Sequence, residues 1–356
     1  MNSTISPYTD HPPPICSVPP RQSGPTVLRS LQLGPMTIEF PVVQAALSGY
    51  SDGPMRIIAR RLGAPYTLGE VKIDRFLLDL KDRPQTRHHF RVTDEEHPVG
   101  GQLMGSDPNE FGAAARKLVA AGFDVIDINF GCPTKTAVGG CRGGYHLSQP
   151  EVALEIVSRT REAVPAHIPV TLKMRRGIDD SPMSRDRFFH ILDGAFDRGV
   201  AAITVHGRTV EQKYVGPSNW DFLREVKRHA GAKTILGSGD LFTAQACLDM
   251  LTCTGVDGVS VARGAIGNPW IFQQVRQLAA GLPCRFPSLT EQRQILEMQY
   301  QLCLELGDAR RASATMRKFA IKFAQLHPHE IDVRNAFARA QSATEWHTVL
   351  ATWYAP

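Results

Sequence analysis

PVGGQLM (98–104), DPNEFGAAARKLVAAG (107–122) and FDVIDINF (123–130) follow one another almost without a break. The first and third are short and mostly apolar. The middle stretch repeats its apolar residues at three- and four-residue steps, opens on Asp-Pro and closes on Gly, as an amphipathic helix does. Two buried strands joined by a helix form a βαβ unit, whose strands run parallel. The alternation continues both ways. Further apolar runs lie at PVVQAAL (41–47), APYTLGEV (64–71), PVTLKM (169–174), AAITVHG (201–207), KTILGSG (233–239) and GVDGVSVARG (255–264). Helical patterns such as PEVALEIVSRTREAV (150–164) and WDFLREVKRHAG (220–231) separate them. Eight strands in about 220 residues fit an α/β chain folded as a (β/α)8 TIM barrel. An eight-stranded doubly wound sheet is the competing arrangement.

The flanks read differently. Residues 1–37 carry prolines at 7, 12, 13, 14, 19, 20 and 25. Such a stretch buries too little to offset its ordering entropy, so it is expected to be a disordered Pro-rich leader. Met36 is an alternative start. Residues 38–284 form the barrel. Residues 285–356 form a small C-terminal helical domain, with helices expected at 288–306, 311–326 and 341–353.

Composition sets the outer limits. The 356 residues carry a net charge of +5, with 42% hydrophobic and 21% charged residues. No apolar run approaches the ~20 residues of a membrane span. The N-terminus shows no basic stretch leading into an apolar one, so no signal peptide is expected. The seven cysteines are dispersed without a CxxC pair, which argues against a zinc site and suits a reducing, cytoplasmic setting.

Barrel chemistry sits at the C-terminal ends of the strands. There the chain places Ala46-Leu47, Glu70, Gln102, Asn129, Lys173, His206 with Arg208, Ser238-Gly239-Asp240, and Ala262-Arg263-Gly264. Any one of these is compatible with a satisfied structural role. The set as a whole points to a site, because buried charge is costly without a purpose. Gly239 after the seventh strand and Arg263-Gly264 after the eighth occupy the usual phosphate position of this fold, so a phosphorylated ligand is expected. Cys132, between Gly131 and Pro133 beyond the fourth strand, is placed as a nucleophile or proton donor, with Cys141 as its rival.

The ordered set DINFGCPTKTAVGG (127–140), QLMGSDP (102–108), VTLKMRRG (170–177), VHGRT (205–209), GSGD (237–240) and ARGAIGNPWIF (262–272) resembles the tRNA-dihydrouridine synthases over about residues 40–350. GCPTKT and REAVPAHIPV (161–170) look nearest the bacterial C-type branch. The resemblance implies an FMN-binding barrel and a helical tRNA-binding domain. It implies reduction of the C5–C6 bond of particular uridines, with NADPH as electron donor. Carried over by position, Cys132 matches the proton donor to C5. Gln102, Lys173 and His206 match flavin contacts, alongside Ala46, Leu47, Ser238, Asp240 and Ala262. Gly239, Arg263 and Gly264 match the phosphate cradle. Asn129 matches a polar residue beside the substrate uracil, and Arg208 and Tyr214 match positions lining the substrate pocket. No metal is implied, and a monomer is expected.

Three departures stand out. Ala45-Ala46-Leu47 replaces the usual Ala-Pro-Met, Ser238 stands where Asn is common, and GGCRGGYHL (139–147) is bulkier than the family's small-residue loop. In the tail, Arg310, Arg311, Arg317, Lys318 and Lys322 form an acid-free run that reads as a phosphate-contact face, which Arg334 and Arg339 could extend. Two other readings are a flavin barrel reducing a free small molecule and a catalytically silent RNA-binding homologue. The basic tail argues against the first, and retention of Cys132, Lys173 and His206 against the second.

Overall fold

The computed structural model describes residues 14, 16–17, 26–81, 83, 86–307 and 309–355. Its strands are β1 (Leu31–Leu33), β2 (Met36–Ile38), β3 (Val42–Gln44), β4 (Thr67–Leu68), β5 (Lys72–Ile73), β6 (Val99–Met104), β7 (Val125–Phe130), β8 (Val170–Arg175), β9 (Ala202–His206), β10 (Thr234–Ser238) and β11 (Gly258–Val261). Eight of them pair in parallel in the cycle β3–β4–β6–β7–β8–β9–β10–β11 and back to β3, which closes a TIM barrel. Every apolar run read as a barrel strand coincides with one, trimmed by a few residues at its ends except that β8 runs one residue past PVTLKM, to Arg175. The short β5 pairs with β6 outside the cycle, Lys72 opposite Leu103.

Period-two alternation sorts each strand into an outer and an inner face. The outer residues pack on the helices in one continuous core. The inner ones near the base, Val43, Tyr66, Leu68, Val125, Ala202 and Leu236, form a second cluster with Leu31, Leu33 and Ile38. These last three belong to the antiparallel hairpin β1–β2, Leu31 opposite Ile38, which plugs the bottom of the barrel. The hairpin therefore occupies residues assigned above to the disordered leader. Leu31 and Leu33 are 0% and 2% exposed, and that burial is what orders them. Residues 1–13, 15 and 18–25 lie outside the described residues, and with them most of the leader expectation. Ser17 is held on the barrel wall, its backbone N–H donating to Asp221 at 3.0 Å.

Local chemistry starts the helices where the strands deliver the chain. Asp52, Asp107, Ser181, Asn219 and Thr243 each cap a helix that follows a barrel strand. Ser288 and Glu291 form a capping box at the head of Leu289–Leu306. Beyond it come Ala309–Phe323, Glu330–Arg339 and Ala343–Trp353. The helix Glu330–Arg339 was not expected from the sequence; it is anchored by Val333 and Phe337 alone. Edge-on ring contacts of Phe323 with Trp270 at 5.6 Å and of Phe319 with Tyr50 at 5.3 Å dock these helices on the barrel mouth. No helix of the described residues is long and apolar enough to cross a membrane.

Candidate active site

The C-terminal end of β7 carries Asn129, and the chain turns immediately through Gly131-Cys132-Pro133. The Asn129 side-chain oxygen accepts the backbone N–H groups of Gly131 at 2.9 Å and Cys132 at 3.0 Å. A second loop closes on the same turn: Gly144 N–H donates to the Cys132 carbonyl at 3.0 Å. Gly143 lies in the left-handed region at φ +60°, and a Cβ there would come within 2.9 Å of the Cys132 Cβ. The neighbouring His146, unusual for this loop, is buried and bonds the Gly105 carbonyl through Nε2 at 2.8 Å. Cys132 is thus fixed by backbone on two sides, while its half-exposed thiol lies 3.4 Å from Thr134 Oγ1. The rival Cys141 is exposed at the far end of that second loop.

Cations gather opposite. Lys173 and Arg175 follow each other on one face of β8, His206 ends β9, and Arg208 and Arg263 lie just beyond β9 and β11. Lys173 makes no hydrogen bond or ion pair among the described residues. Burial, with Arg175 nearby and only partly offset by Asp127, lowers its ammonium from 10.5 to about 8. Burial and four neighbouring cations push His206 well below its ordinary 6.5, so its ring is neutral. Burial takes Arg175 down to about 10. That guanidinium straps two loops together, donating to the carbonyls of Gly131 at 2.9 Å after β7 and of Thr209 at 2.8 Å and Lys213 at 2.7 Å after β9.

The expected residues divide into two groups. Ala46, Leu47, Asn129, Lys173, Gly239, Ala262 and Arg263 keep accessible surface at the barrel mouth. Arg263 lies under both Tyr214, at 4.8 Å, and Phe242, at 4.9 Å. Tyr214 itself is 55% exposed, on a loop that overhangs the pocket. Four others face protein instead. Gln102 is 1% exposed and Ser238 3%, so their side chains are largely enclosed by protein. The Arg208 guanidinium is saturated, donating to both Asp240 oxygens at 2.7 and 2.8 Å and to the Gly216 carbonyl. It is held in the wall of the pocket. Asp240 is correspondingly buried against Arg208 and the Ser218 N–H. Gly264 is required sterically, since a Cβ there would sit 2.2 Å from the Leu241 carbonyl.

The tail residues also separate. Arg310, Arg311 and Lys322 are exposed. Arg317 donates to Gln341 at 2.9 Å, and Lys318 turns inward to the Gly49 carbonyl and stacks over Tyr50 at 5.1 Å. They therefore do not form one solvent face, because half of the helix that carries them is its docking surface. A cleft of about 140 Å³ runs along this junction, lined by Asp52, Glu70, Lys72, His89, Arg311 and Lys318. Burial lifts Asp52 there to about 6, and burial beside Lys72 lowers His89 to about 4. Reading the sequence missed the roles of Arg175, two residues after Lys173 and so on the same face, and of Asp127, at the same spacing below Asn129.

The donor set fits an anionic, phosphorylated group. Lys173, Arg263 and the neutral His206 imidazole border the pocket, with Arg175 and Arg208 held in its wall, and among the described residues the carboxylates acting on these groups are Asp127 and Asp240. The Ser218 hydroxyl, beside Gly239, is buried without a hydrogen-bond partner among the described residues. Gly239, at φ +115°, leaves room that a Cβ would take from Ser218 and His206.

Comparison with known proteins accords with this geometry. The dihydrouridine synthase family model matches residues 43–353. A probable tRNA-dihydrouridine synthase of Rickettsia conorii is 33% identical over 276 residues, 77% of this chain and 81% of that one. The tRNA-dihydrouridine synthase B of Xanthomonas campestris pv. campestris is 32% identical over 315 residues, 88% of this chain and 92% of that one. The subtype letter in that name is B, against the C-type resemblance read from GCPTKT. Among solved structures, histamine dehydrogenase from Rhizobium sp. 4-9 superposes with a TM-score of 0.56 at 14% identity, over 79% of this chain and 51% of that one. Morphinone reductase does so at 0.50 and 16%, over 75% of this chain and 92% of that one. At such identities these two speak for the barrel fold alone. The extent of the family match and the relatives' identity over most of both chains make this protein a member of the dihydrouridine synthase family.

Proposed function

We propose that this protein reduces the C5–C6 bond of specific uridines in tRNA to 5,6-dihydrouridine, with FMN in the barrel mouth and NADPH as electron donor. The observation that carries the reading is the half-exposed Cys132 thiol, clamped by backbone at the rim of a pocket with surplus cations. Reduced FMN bound there would supply the hydride that C6 receives. The chain's own groups do the rest. Arg263 and the Gly239 and Gly264 backbones are suited to the phosphate. Lys173, with no counter-ion of its own, balances negative charge on the pocket floor. Cys132 holds the proton that C5 takes up. A uridine must leave the stacked RNA to reach it, as base-modifying chemistry requires. In this reading residues 38–284 bind the flavin and 285–356 bind tRNA through Arg310, Arg311 and Lys322, and the protein works as a cytoplasmic monomer.

The test is Cys132→Ala. Purified variant should keep the yellow flavin absorbance of the wild type yet lose at least ~100-fold in turnover, the lower range for loss of a positioned acid. Mass spectrometry of nucleosides from the tRNA of a deletion strain reads the same question in cells. Dihydrouridine restored to normal by the Ala variant would remove Cys132 from this role.

A further inference from the structure

Beneath Cys132 the barrel interior holds an unbroken line of side-chain hydrogen bonds. Thr171 Oγ1 donates to Asp127 Oδ1 at 2.6 Å. Gln102 Nε2 donates to Asp127 Oδ2 at 2.7 Å. Asn129 Nδ2 donates to Gln102 Oε1 at 2.8 Å. Asn129 Oδ1 accepts from the N–H groups of Gly131 and Cys132. Strand register builds the line, with Asp127 opposite both Gln102 on β6 and Thr171 on β8. Asp127 and Gln102 are each 1% exposed, so neither can meet a substrate.

The direction of the line is forced from both ends. A carboxylate only accepts, so Gln102 must turn its NH2 toward Asp127 and its oxygen toward Asn129. Asn129 must then turn its own NH2 down, which leaves its oxygen for the two backbone N–H groups. Reversing any member sets donor against donor or acceptor against acceptor in a buried place, where an unmade bond costs most.

We propose that Asp127 is a positioning residue for Cys132, acting through Gln102 and Asn129 to fix the backbone that carries the thiol. The inference rests on the reading of Cys132 as the proton donor, and its test separates the two.

Asn129→Asp puts an acceptor-only group at each end of Gln102, whose single NH2 can serve only one. Adding Asp127→Asn restores the match in reverse. The amide introduced at position 127 donates to Gln102, and Gln102 donates to the carboxylate introduced at position 129. That carboxylate accepts from Gly131 and Cys132, and Thr171 still finds the oxygen of the new amide. Asp127→Asn alone can keep the original direction with its oxygen toward Gln102. Hydrogen exchange of the peptide spanning Gly131-Cys132-Pro133 reports the two amides directly, since Pro133 has none. In the flavin-loaded protein, N129D should exchange these amides at least ~10-fold faster than wild type, and D127N/N129D should return to within ~3-fold. Turnover should follow, with kcat of the double variant at least ~10-fold above that of N129D and KM moved little.

D127N thus harms or spares the wild type but repairs N129D, a reversal that a packing role for Asp127 does not produce. If N129D does not fold, a double variant melting near wild type gives the same support, and one that also fails to fold overturns the relay. Wild-type exchange in N129D, or no repair by D127N, overturns it too, as does repaired exchange with kcat left at the N129D level. Normal turnover by Cys132→Ala would instead defeat the acid assignment while the exchange pattern stood.

Discussion

Lys173→Met should stabilise the flavin-free protein while weakening flavin binding. The magnitude follows from the site. The folded pocket lowers the Lys173 ammonium from 10.5 to about 8, with burial as the leading cause. Below pH 8 the folded and unfolded chains both carry the proton, and the folded one bears the whole penalty, about 3 kcal/mol at ~1.4 per unit. Between pH 8 and 10.5 the unfolded chain holds the proton more tightly, so stability rises with pH across that window. Methionine fills a similar volume without charge, and Asp127 loses a facing cation, which offsets part of the gain. At pH 7 the flavin-free variant should therefore melt roughly 2–5 °C above wild type. Its melting temperature should also lose the wild type's rise between pH 8 and 10. Flavin affinity should fall about 10–100-fold, the range for a charge-assisted contact in a partly buried site. Differential scanning fluorimetry on flavin-stripped and reloaded protein measures both. A variant that melts at or below wild type when stripped, and binds flavin unchanged, would show that Lys173 is neither strained nor facing the ligand.

Other perturbations address the surrounding parts. Arg208→Met leaves Asp240 buried with the Ser218 N–H but without its cation, and should cost about 3 kcal/mol in urea unfolding, near the low end for a broken buried pair. R208M/D240L should recover part of that loss, and equal loss in both variants would contradict the ion-pair account. Leu31→Ala and Leu33→Ala each empty space at the base of the barrel and should cost ~2–4 kcal/mol. A chain starting at Met36 lacks β1 altogether and should unfold at visibly lower denaturant. Unchanged midpoints would mean that the hairpin is not part of the core. In the tail, Arg310→Gln with Lys322→Gln should reduce the salt slope of tRNA binding by about 1.4–1.8, at about 0.7–0.9 per phosphate contact. Lys318→Gln, bonded to Gly49, should lower the melting temperature and leave the slope alone.

Much of this architecture was legible because its rules are periodic. Apolar runs at regular spacing with capped helices between them identify eight strands, and a barrel then dictates which end of each strand holds chemistry. Cys132, Lys173 and Arg263 could be found in that way. What the sequence hid depends on partners from elsewhere in the chain. Arg208 and Arg263 both follow a strand end and look alike in one dimension. Asp240 sits against Arg208 at 2.7 Å and 4.0 Å from Arg263, so one arginine is saturated and the other is left for a ligand. Gln102 reads as a polar group at a strand end, yet Asp127 and Asn129 use its amide from both sides. The hairpin escaped because LQL and MTI are too short to show a period and follow a proline-rich stretch. The helix Glu330–Arg339 escaped because only two of its ten residues are buried.

These hidden pairings explain why the pocket tolerates its charge. Going up the barrel axis, the interior passes from leucine and valine at the plug, through the amides and hydroxyls around Asp127, to Lys173, His206 and Arg263 at the mouth. Each level depends on the one below. The apolar plug keeps water from the middle layer, so the hydrogen bonds there are strong and their direction is enforced. The middle layer contributes a single carboxylate beneath Lys173, enough to keep an ammonium in the wall but not to neutralise the cations above it. Had the interior carried a second acid in place of Gln102, the mouth would be balanced and more stable, and it would hold an anionic ligand less well. Burial first, and the neighbouring cations after it, depress Lys173 and His206, and a bound anion would offset both, so the instability of the empty pocket and its affinity are linked.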